Sequence, residues 1–216
     1  MPGAWEAVAP QVLVGVLTRG TVATKWSVGF RNLHLPPASD IMMPTGMPFD
    51  HGRNTVCQVA IERGFQWLFF LDDDVIPPPD TIQRLINRNV DIVSGLYYRR
   101  AEPIMPVSLY DSKPKPVFTT NIEFGQLAEV DLVGAGCLLI KRNVLEKMRT
   151  PKMDWFDWLM DRYDIPEDER CSEDFAFCRK AKRDHGFKVW LDTTIQCQHV
   201  GWGKSEPPGN FKPLEG

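Results

Sequence analysis

The chain reads as an α/β fold, a mixed and mostly parallel sheet flanked by helices, and three observations predict it. Apolar runs bounded by chain breakers recur at 11–17, 67–71 and 91–98, as expected of strands buried on both faces. Stretches with helical apolar spacing lie between them, and alternating strands and helices are the signature of a largely parallel sheet. The runs end abruptly in polar residues, Thr18-Arg19, Asp72-Asp73-Asp74 and Arg99-Arg100, and ligands of open α/β sheets gather at strand carboxyl ends.

The first run, 11–17, stops at Thr18-Arg19-Gly20, which is either a polar turn or a contact for a nucleotide. Residues 31–50 hold Pro36, Pro37, Pro44 and Pro48 and read as an irregular connection, since proline removes a donor and breaks elements. A connection of this length is expected to border a pocket. A helix is predicted over 52–63, where Val56, Cys57, Ala60 and Ile61 recur at helical spacing and Gly64 supplies the stop. Arg53 falls in its first turn, where a cation opposes the macrodipole. Its partner is therefore expected to be an anion such as a diphosphate, a plain surface arginine being the alternative.

A further continuous apolar run, Trp67-Leu68-Phe69-Phe70-Leu71, ends in Asp72-Asp73-Asp74. Three adjacent anions repel one another, so fold stability does not explain them, and a cation would relieve the repulsion. On an extended chain Asp72 and Asp74 point to the same side. Such hard oxygen ligands suit Mg²⁺ or Mn²⁺, the bland alternative being a solvated acidic loop. Pro77-Pro78-Pro79 then forces extended chain, and Asp80 with Gln83 reads as a capping box for a helix burying Ile82, Leu85 and Ile86.

A strand over 91–98 follows, then a short strand within 105–110 and a loop at 113–116. Residues 129–133 and 137–140 read as strands joined by Gly134-Ala135-Gly136, glycines that admit close backbone approach or mark a bend. Asn143 with Glu146 is expected to cap a short helix carrying Val144, Leu145 and Met148. Aromatic and acidic residues mingle over 153–158, where Trp155 either packs in the core or offers its face to a sugar ring. Residues 161–170 are strongly charged and read as a surface loop. Ser172 reads as an N-cap with Glu173 and Asp174 in the first helical turn, Phe175, Cys178 and Ala181 on the buried face, and Gly186 as the stop. An alternating strand over 187–191 then leads toward His199.

Hydrophobic content of 43% and charged content of 25% describe an ordinary globular chain. The net charge of −3 disfavours binding of free nucleic acid by charge alone. No stretch reaches the ~20 apolar residues of a membrane span, and the N-terminus lacks the regions of a signal peptide. Cys57, Cys137, Cys171, Cys178 and Cys197 are odd in number and scattered, which favours reduced thiols and a cytoplasmic location. One domain is expected over 1–202, with 203–216 as a tail or lid that brings Lys204 near phosphate.

The wording Asp72-Asp73-Asp74-Val75-Ile76-Pro77-Pro78 resembles the Asp-x-Asp motif of GT-A glycosyltransferases, the family 2-like enzymes in particular. The order Ser172-Glu173-Asp174-Phe175-Ala176-Phe177-Cys178, then residues 186–191, then His199 is similar to the distal half of the same enzymes, so the resemblance covers about 11–202. It implies a Rossmann-like GT-A fold, a nucleotide-diphospho-sugar donor (a UDP- or GDP-sugar), a hydroxyl acceptor and a Mn²⁺ or Mg²⁺ ion. Residue by residue, it implies Asp74 and His199 as metal ligands and Asp174 as the base of an inverting transfer. Asp72 and Asp73, with Thr18, Arg19 and Arg53, would meet the donor. Glu173, Gly136 and Trp155 would lie on the acceptor side. Arg53 or Arg99 would assist with diphosphate charge, and a base working near neutral pH needs a raised carboxyl pKa.

The chain departs from the pattern in places. The first strand lacks the Pro-x-Tyr-Asn ending of many family 2 enzymes. The Gln-x-x-Arg-Trp element of processive synthases is absent, which disfavours that activity. Two other readings stay open. A nucleotidyltransferase acting on sugar phosphates would carry a Gly-rich basic loop after the first strand, of which Thr18-Arg19-Gly20 is a poor version. A nucleotide-sugar- or glycan-binding module would have kept the fold without the chemistry.

Overall fold

The computed structural model describes residues 11–113 and 115–200. The first half contains β1 (Val12–Leu17), α1 (Thr24–Arg31), β2 (Asp40–Met42), α2 (Phe49–Glu62), β3 (Trp67–Asp72), β4 (Val75–Ile76), α3 (Thr81–Asn87) and β5 (Ile92–Leu96). Next come β6 (Ser108–Tyr110), β7 (Val117–Phe118), β8 (Leu127–Val130), β9 (Leu132–Val133) and β10 (Cys137–Lys141). The remainder is α4 (Arg142–Lys147), α5 (Glu173–His185), β11 (Val189–Gln196) and β12 (Gln198–His199). The expected tail at 203–216, with Lys204, lies outside the described residues.

Seven strands form the central sheet in the order β2-β1-β3-β10-β5-β11-β8. Strands β1, β2, β3, β5 and β11 run one way, and β10 and β8 run the other. The sheet is thus mixed and mostly parallel. The parallel strands deliver their carboxyl ends to one edge, and β10, running opposite, begins at that edge. Two small sheets complete the strands, β12-β4 and β7-β6-β9.

Side-chain alternation builds the layers. Leu13, Leu17, Leu68 and Phe70 face α2, α4 and α5, packing with Val56, Ala60, Leu145 and Phe177. Val12, Val14, Val16, Phe69 and Leu71 face α1 and α3, packing with Trp26, Ile82 and Leu85. Burying one such side chain contributes about 1.5–3 kcal/mol. A one-residue slip of β3 would exchange the two layers, so the register is strongly specified. At Gly15 a Cβ would stand 2.8 Å from Val56 Cγ1 and 3.0 Å from Phe70, so glycine is what lets α2 close on β1.

Several local expectations are revised. Helix α2 begins at Phe49, which moves Arg53 into its second turn. Neither Asp80 nor Asn143 caps a helix with its side chain: Asp80 pairs with Arg84, Gln83 with Asn87, and Asn143 donates to Asp91. The run 129–133 is split at Asp131 between two sheets, as β8 and β9. The irregular 31–50 stretch holds the short edge strand β2. Helix α1 escapes the sequence reading because Trp26 is its sole buried residue, although Trp26 and Phe30 stack one turn apart at 4.9 Å. No helix among the described residues is long and apolar enough to cross a membrane.

The loop entering β10 wraps the Tyr97 ring. A Cβ on Gly134 would lie 2.1 Å from the Tyr97 hydroxyl and 2.7 Å from Val107 Cγ1, and one on Gly136 would lie 2.9 Å from Val75 and 3.0 Å from Tyr97. The Gly136 N–H donates to the Tyr97 oxygen at 3.0 Å. Gly134→Ala is therefore expected to lower stability by about 1–3 kcal/mol, read as a fall in the urea midpoint at unchanged slope. An unchanged midpoint would show that Tyr97 can move aside.

Candidate active site

Strand parity sets Asp72 on the face of Leu68 and Phe70, toward α2 and α5. There Arg53 Nη2 meets Asp72 Oδ1 at 2.9 Å while Arg53 Nε meets Glu173 Oε1 at 3.1 Å. Arg53 and Glu173 are only 2% and 5% exposed, so this is a buried ion chain joining β3, α2 and α5. Burial opposes the guanidinium charge, but Asp72, Glu173 and Asp174 outweigh it and raise the Arg53 pKa. The guanidinium carbon lies 5.1 Å from the Phe70 ring centre and 5.9 Å from that of Phe156. The remaining nitrogen, Nη1, has no hydrogen-bond partner among the described residues. Arg53 thus holds two protein carboxylates instead of standing in a first turn open to a diphosphate, because the helix starts earlier than its apolar spacing suggests.

Asp174 sits beside this chain in the first turn of α5. Its Oδ1 accepts from the Phe175 N–H at 2.8 Å and from the Ser172 hydroxyl. Ser172 holds the N-cap position but spends its hydroxyl on Asp174 instead of on the helix. Oδ2 has no donor among the described residues. Burial and then the neighbouring Glu173 charge push the Asp174 carboxyl up to about 6, against the opposing pull of Ser172 and Arg53. This is the direction that a base working near neutral pH requires. Burial pushes the Tyr97 phenol well up, and the Asp72 and Asp174 charges push it the same way.

Beyond Asp72 the chain turns before β4, so strand alternation no longer applies and Asp72 and Asp74 part company. Burial, with the neighbouring Asp74 and Asp72 charges, raises the Asp73 pKa against the lowering influence of Thr18 and Arg19. Asp74 faces the other way: Oδ2 is 3.1 Å from Arg100 Nη2 and Oδ1 is 3.4 Å from His199 Nε2. Strand β12 pairs with β4, setting His199 opposite Val75, and the Val200 N–H donates to the Asp74 carbonyl at 2.6 Å. The Trp26 indole donates to the Asp72 carbonyl at 2.9 Å, steadying the turn from α1.

His199 Nδ1 is 2.7 Å from the Tyr98 carbonyl oxygen. That oxygen can only accept, so Nδ1 carries a proton and Nε2 is the ring nitrogen that faces Asp74. Two acceptors facing each other at 3.4 Å call for a cation between them, either a second ring proton or a metal ion. An imidazole and a carboxylate suit Mn²⁺ or Mg²⁺. No group of three or more His, Cys, Asp or Glu among the described residues forms a complete cage. Asp74 and His199 are two donors, and an ion such as Mg²⁺ usually keeps several waters and takes one or two carboxylates with substrate phosphates.

A cavity of about 680 Å³ opens on this edge, lined by Arg19, Thr24, Asp73, Asp74, Arg100 and Val200 among others. A second of about 200 Å³ adjoins it, and Pro44, Met47 and Phe49 of the 31–50 connection line it with Thr18 and Arg19. Two expected residues, Trp155 and Arg99, stand elsewhere. Trp155 is 1% exposed and donates its indole N–H to the Leu145 carbonyl at 2.8 Å, which makes it a core residue and not a platform for an acceptor. Gly136 is buried against Tyr97 and Val75, and its carbonyl accepts from the Asp72 N–H at 3.1 Å, beside the acidic turn. Arg99 lies over the Phe118 ring at 5.6 Å, and it is Arg100 that reaches the acidic turn. The sequence reading missed Arg100, the Tyr98 carbonyl and Trp26. Parity had no purchase on 97–100, since β5 ends at Leu96.

No protein-family model matches the chain, and no curated protein matches it by sequence. Among solved structures, A197 from STIV aligns with a TM-score of 0.59 at 20% identity, over 88% of this chain and 86% of that one. S. aureus TarS 1–349 in complex with UDP-GlcNAc aligns with a TM-score of 0.51 at 13% identity, over 94% of this chain and 62% of that one. GalNAc-T7 with UDP, GalNAc and Mn²⁺ gives a TM-score of 0.51 at 10% identity, over 89% of this chain and 44% of that one. The chain thus spans less than two thirds of the latter two. These likenesses show the fold: a GT-A-type α/β domain with a mostly parallel sheet between helices.

The buried ion chain carries its own expectation. Arg53→Met would strand Glu173 as an unpaired buried charge, and breaking one side of such a pair costs about 3–5 kcal/mol. Chemical unfolding at neutral pH measures that loss; a loss below about 1 kcal/mol would mean that water replaces the guanidinium.

Proposed function

We propose that the chain is a metal-dependent glycosyltransferase that moves a sugar from a nucleotide-diphospho-sugar to an acceptor hydroxyl, with inversion. The observation that carries this reading is the meeting of Asp74 and His199, remote in sequence, at 3.4 Å on the rim of the 680 Å³ cavity. The ligands named for two fold neighbours, UDP-GlcNAc in one and UDP, GalNAc and Mn²⁺ in the other, favour a UDP-sugar as donor and a divalent ion as cofactor.

In this mechanism Thr18, Arg19, Asp72 and Asp73 border the nucleotide. Asp74 and His199 would hold Mn²⁺ or Mg²⁺, which would supply charge compensation to the leaving diphosphate. Asp174 stands ready on the other flank of the Arg53 chain. Its Oδ1 is already committed to Ser172 and Phe175, so Oδ2 takes the acceptor hydroxyl proton. The acceptor oxygen attacks the anomeric carbon, the bond from that carbon to the phosphate oxygen breaks, and the electron pair leaves with the nucleoside diphosphate. Attack opposite the leaving group inverts the anomeric centre. Arg53 holds Asp72 and Glu173 in place, and after burial the Glu173 charge helps raise the Asp174 pKa.

Turnover with a UDP-sugar and Mn²⁺ is expected to release UDP and no pyrophosphate; pyrophosphate as product would replace this reading with nucleotidyl transfer. Asp74→Ala should abolish metal-dependent turnover. Asp174→Asn should cut kcat by about 10²–10⁴-fold, the usual worth of a general base. The wild-type rate should fall on the acid side of pH 6, where Asp174 takes up a proton.

The same shift has a stability consequence of fixed sign. The folded-state pKa of about 6 lies above the ordinary 3.8, so the fold gains from Asp174 below pH 4 and loses that gain as pH rises through 6. Asp174→Asn is accordingly expected to raise the melting temperature at pH 7.5 and to leave it nearly unchanged at pH 4. A lower melting temperature at pH 7.5 would refute the burial penalty assigned to this carboxylate.

A further inference from the structure

We infer that Arg100 is a resident counter-cation of Asp74, displaced when a divalent ion arrives and then free to bind the donor's diphosphate. The inference rests on the metal reading above and adds to it a residue that the resemblance does not supply. Arg100 Nη2 is 3.1 Å from Asp74 Oδ2, and the other oxygen of the same carboxylate faces His199 Nε2 at 3.4 Å. Guanidinium and metal ion therefore draw on one negative charge. A carboxylate whose charge is taken by a divalent ion no longer attracts the arginine, and two cations on one group repel.

Arg100 is the side chain able to make that exchange. Its side chain is 44% exposed and that of Asp74 is 27% exposed, so their pair is held weakly. Among the described residues its other polar contact is a hydrogen bond from Nη1 to the Val200 carbonyl at 3.1 Å. The neighbouring arginines are committed elsewhere: Arg53 is buried between two carboxylates, and Arg99 lies over Phe118. Arg100 lines the 680 Å³ cavity together with Arg19, so once released it already borders the space for a diphosphate. A planar guanidinium fork matches phosphate oxygens in two parallel hydrogen bonds. The exchange would keep the acidic turn charge-balanced both with and without metal, and would make phosphate binding follow metal binding.

Removing the side chain should move two affinities in opposite directions. Calorimetric titration with Mn²⁺ alone should show Arg100→Ala binding about 2–5-fold tighter than wild type, since a weak competitor is gone. Titration with UDP at saturating Mn²⁺ should show the same variant binding at least about tenfold weaker, since a charge-assisted phosphate contact is lost. Arg99→Ala removes an equal charge next door and should change either affinity by no more than about twofold. The inference is overturned if Arg100→Ala binds Mn²⁺ no tighter than wild type, if Arg99→Ala matches its gain, or if UDP affinity is kept. Asp74→Ala separates this failure from a deeper one. If Asp74→Ala loses Mn²⁺ and Arg100→Ala gains nothing, only the exchange falls. If wild type and Asp74→Ala bind Mn²⁺ alike, the metal site itself falls.

Discussion

A single buried guanidinium joins the two acidic ends of this protein. Asp72 closes a strand and Glu173 opens a helix, and Glu173, 5% exposed, lies where an unpaired charge is costly. Arg53 reaches both from α2 and rests on Phe70 and Phe156. Buried ion pairs add little net stability over well-packed apolar groups, but once present they fix geometry, because losing one member leaves an uncompensated charge. Here the geometry fixed is the spacing between strand β3 and the start of α5. Asp174 inherits its position and its raised pKa from that arrangement.

The other flank is built differently. Asp74, His199 and Arg100 are partly open to solvent, and they are held by one short strand pair and a few single hydrogen bonds. An anchored base and a looser, exchangeable cation site suit a reaction in which one substrate brings its own charge. The anchored side has little freedom to adjust, and the open side can change partners. The glycines entering β10 connect the two, because the Tyr97 ring that they clasp lies against His199 at 5.5 Å and feels the charges of Asp72 and Asp174.

Much of the fold was legible in the chain. Strands β1, β3, β5 and β10 are apolar runs that no surface element would tolerate, and helices fill the intervals between β1 and β3 and between β3 and β5. Helix α5 announced both its ends, since Gly186 adopts the left-handed conformation at φ 72° that its stop requires. Helix α1 and strands β2, β4 and β12 were not legible, being short elements held by tertiary contacts instead of by their own patterns. The capping signals at Asp80 and Asn143 misled for a related reason: both side chains found partners, Arg84 and Asp91, that no local rule anticipates.

The sequence by itself determined which residue types gather at the strand ends: three consecutive aspartates, a Glu-Asp pair in a first helical turn, and one late histidine. Periodicity is a local property, so it also settled which faces of β1 and β3 are buried. Tertiary structure alone decided who partners whom. The turn after Asp72 ends strand alternation, so only the folded chain sends Asp72 to Arg53 and Asp74 to His199 and Arg100. Trp155 and Arg53 took core roles for a similar reason, since burial depends on what packs from the far end of the chain. A carboxylate's neighbours, and hence its charge at neutral pH, are set by distances across the fold that spacing along the chain does not encode.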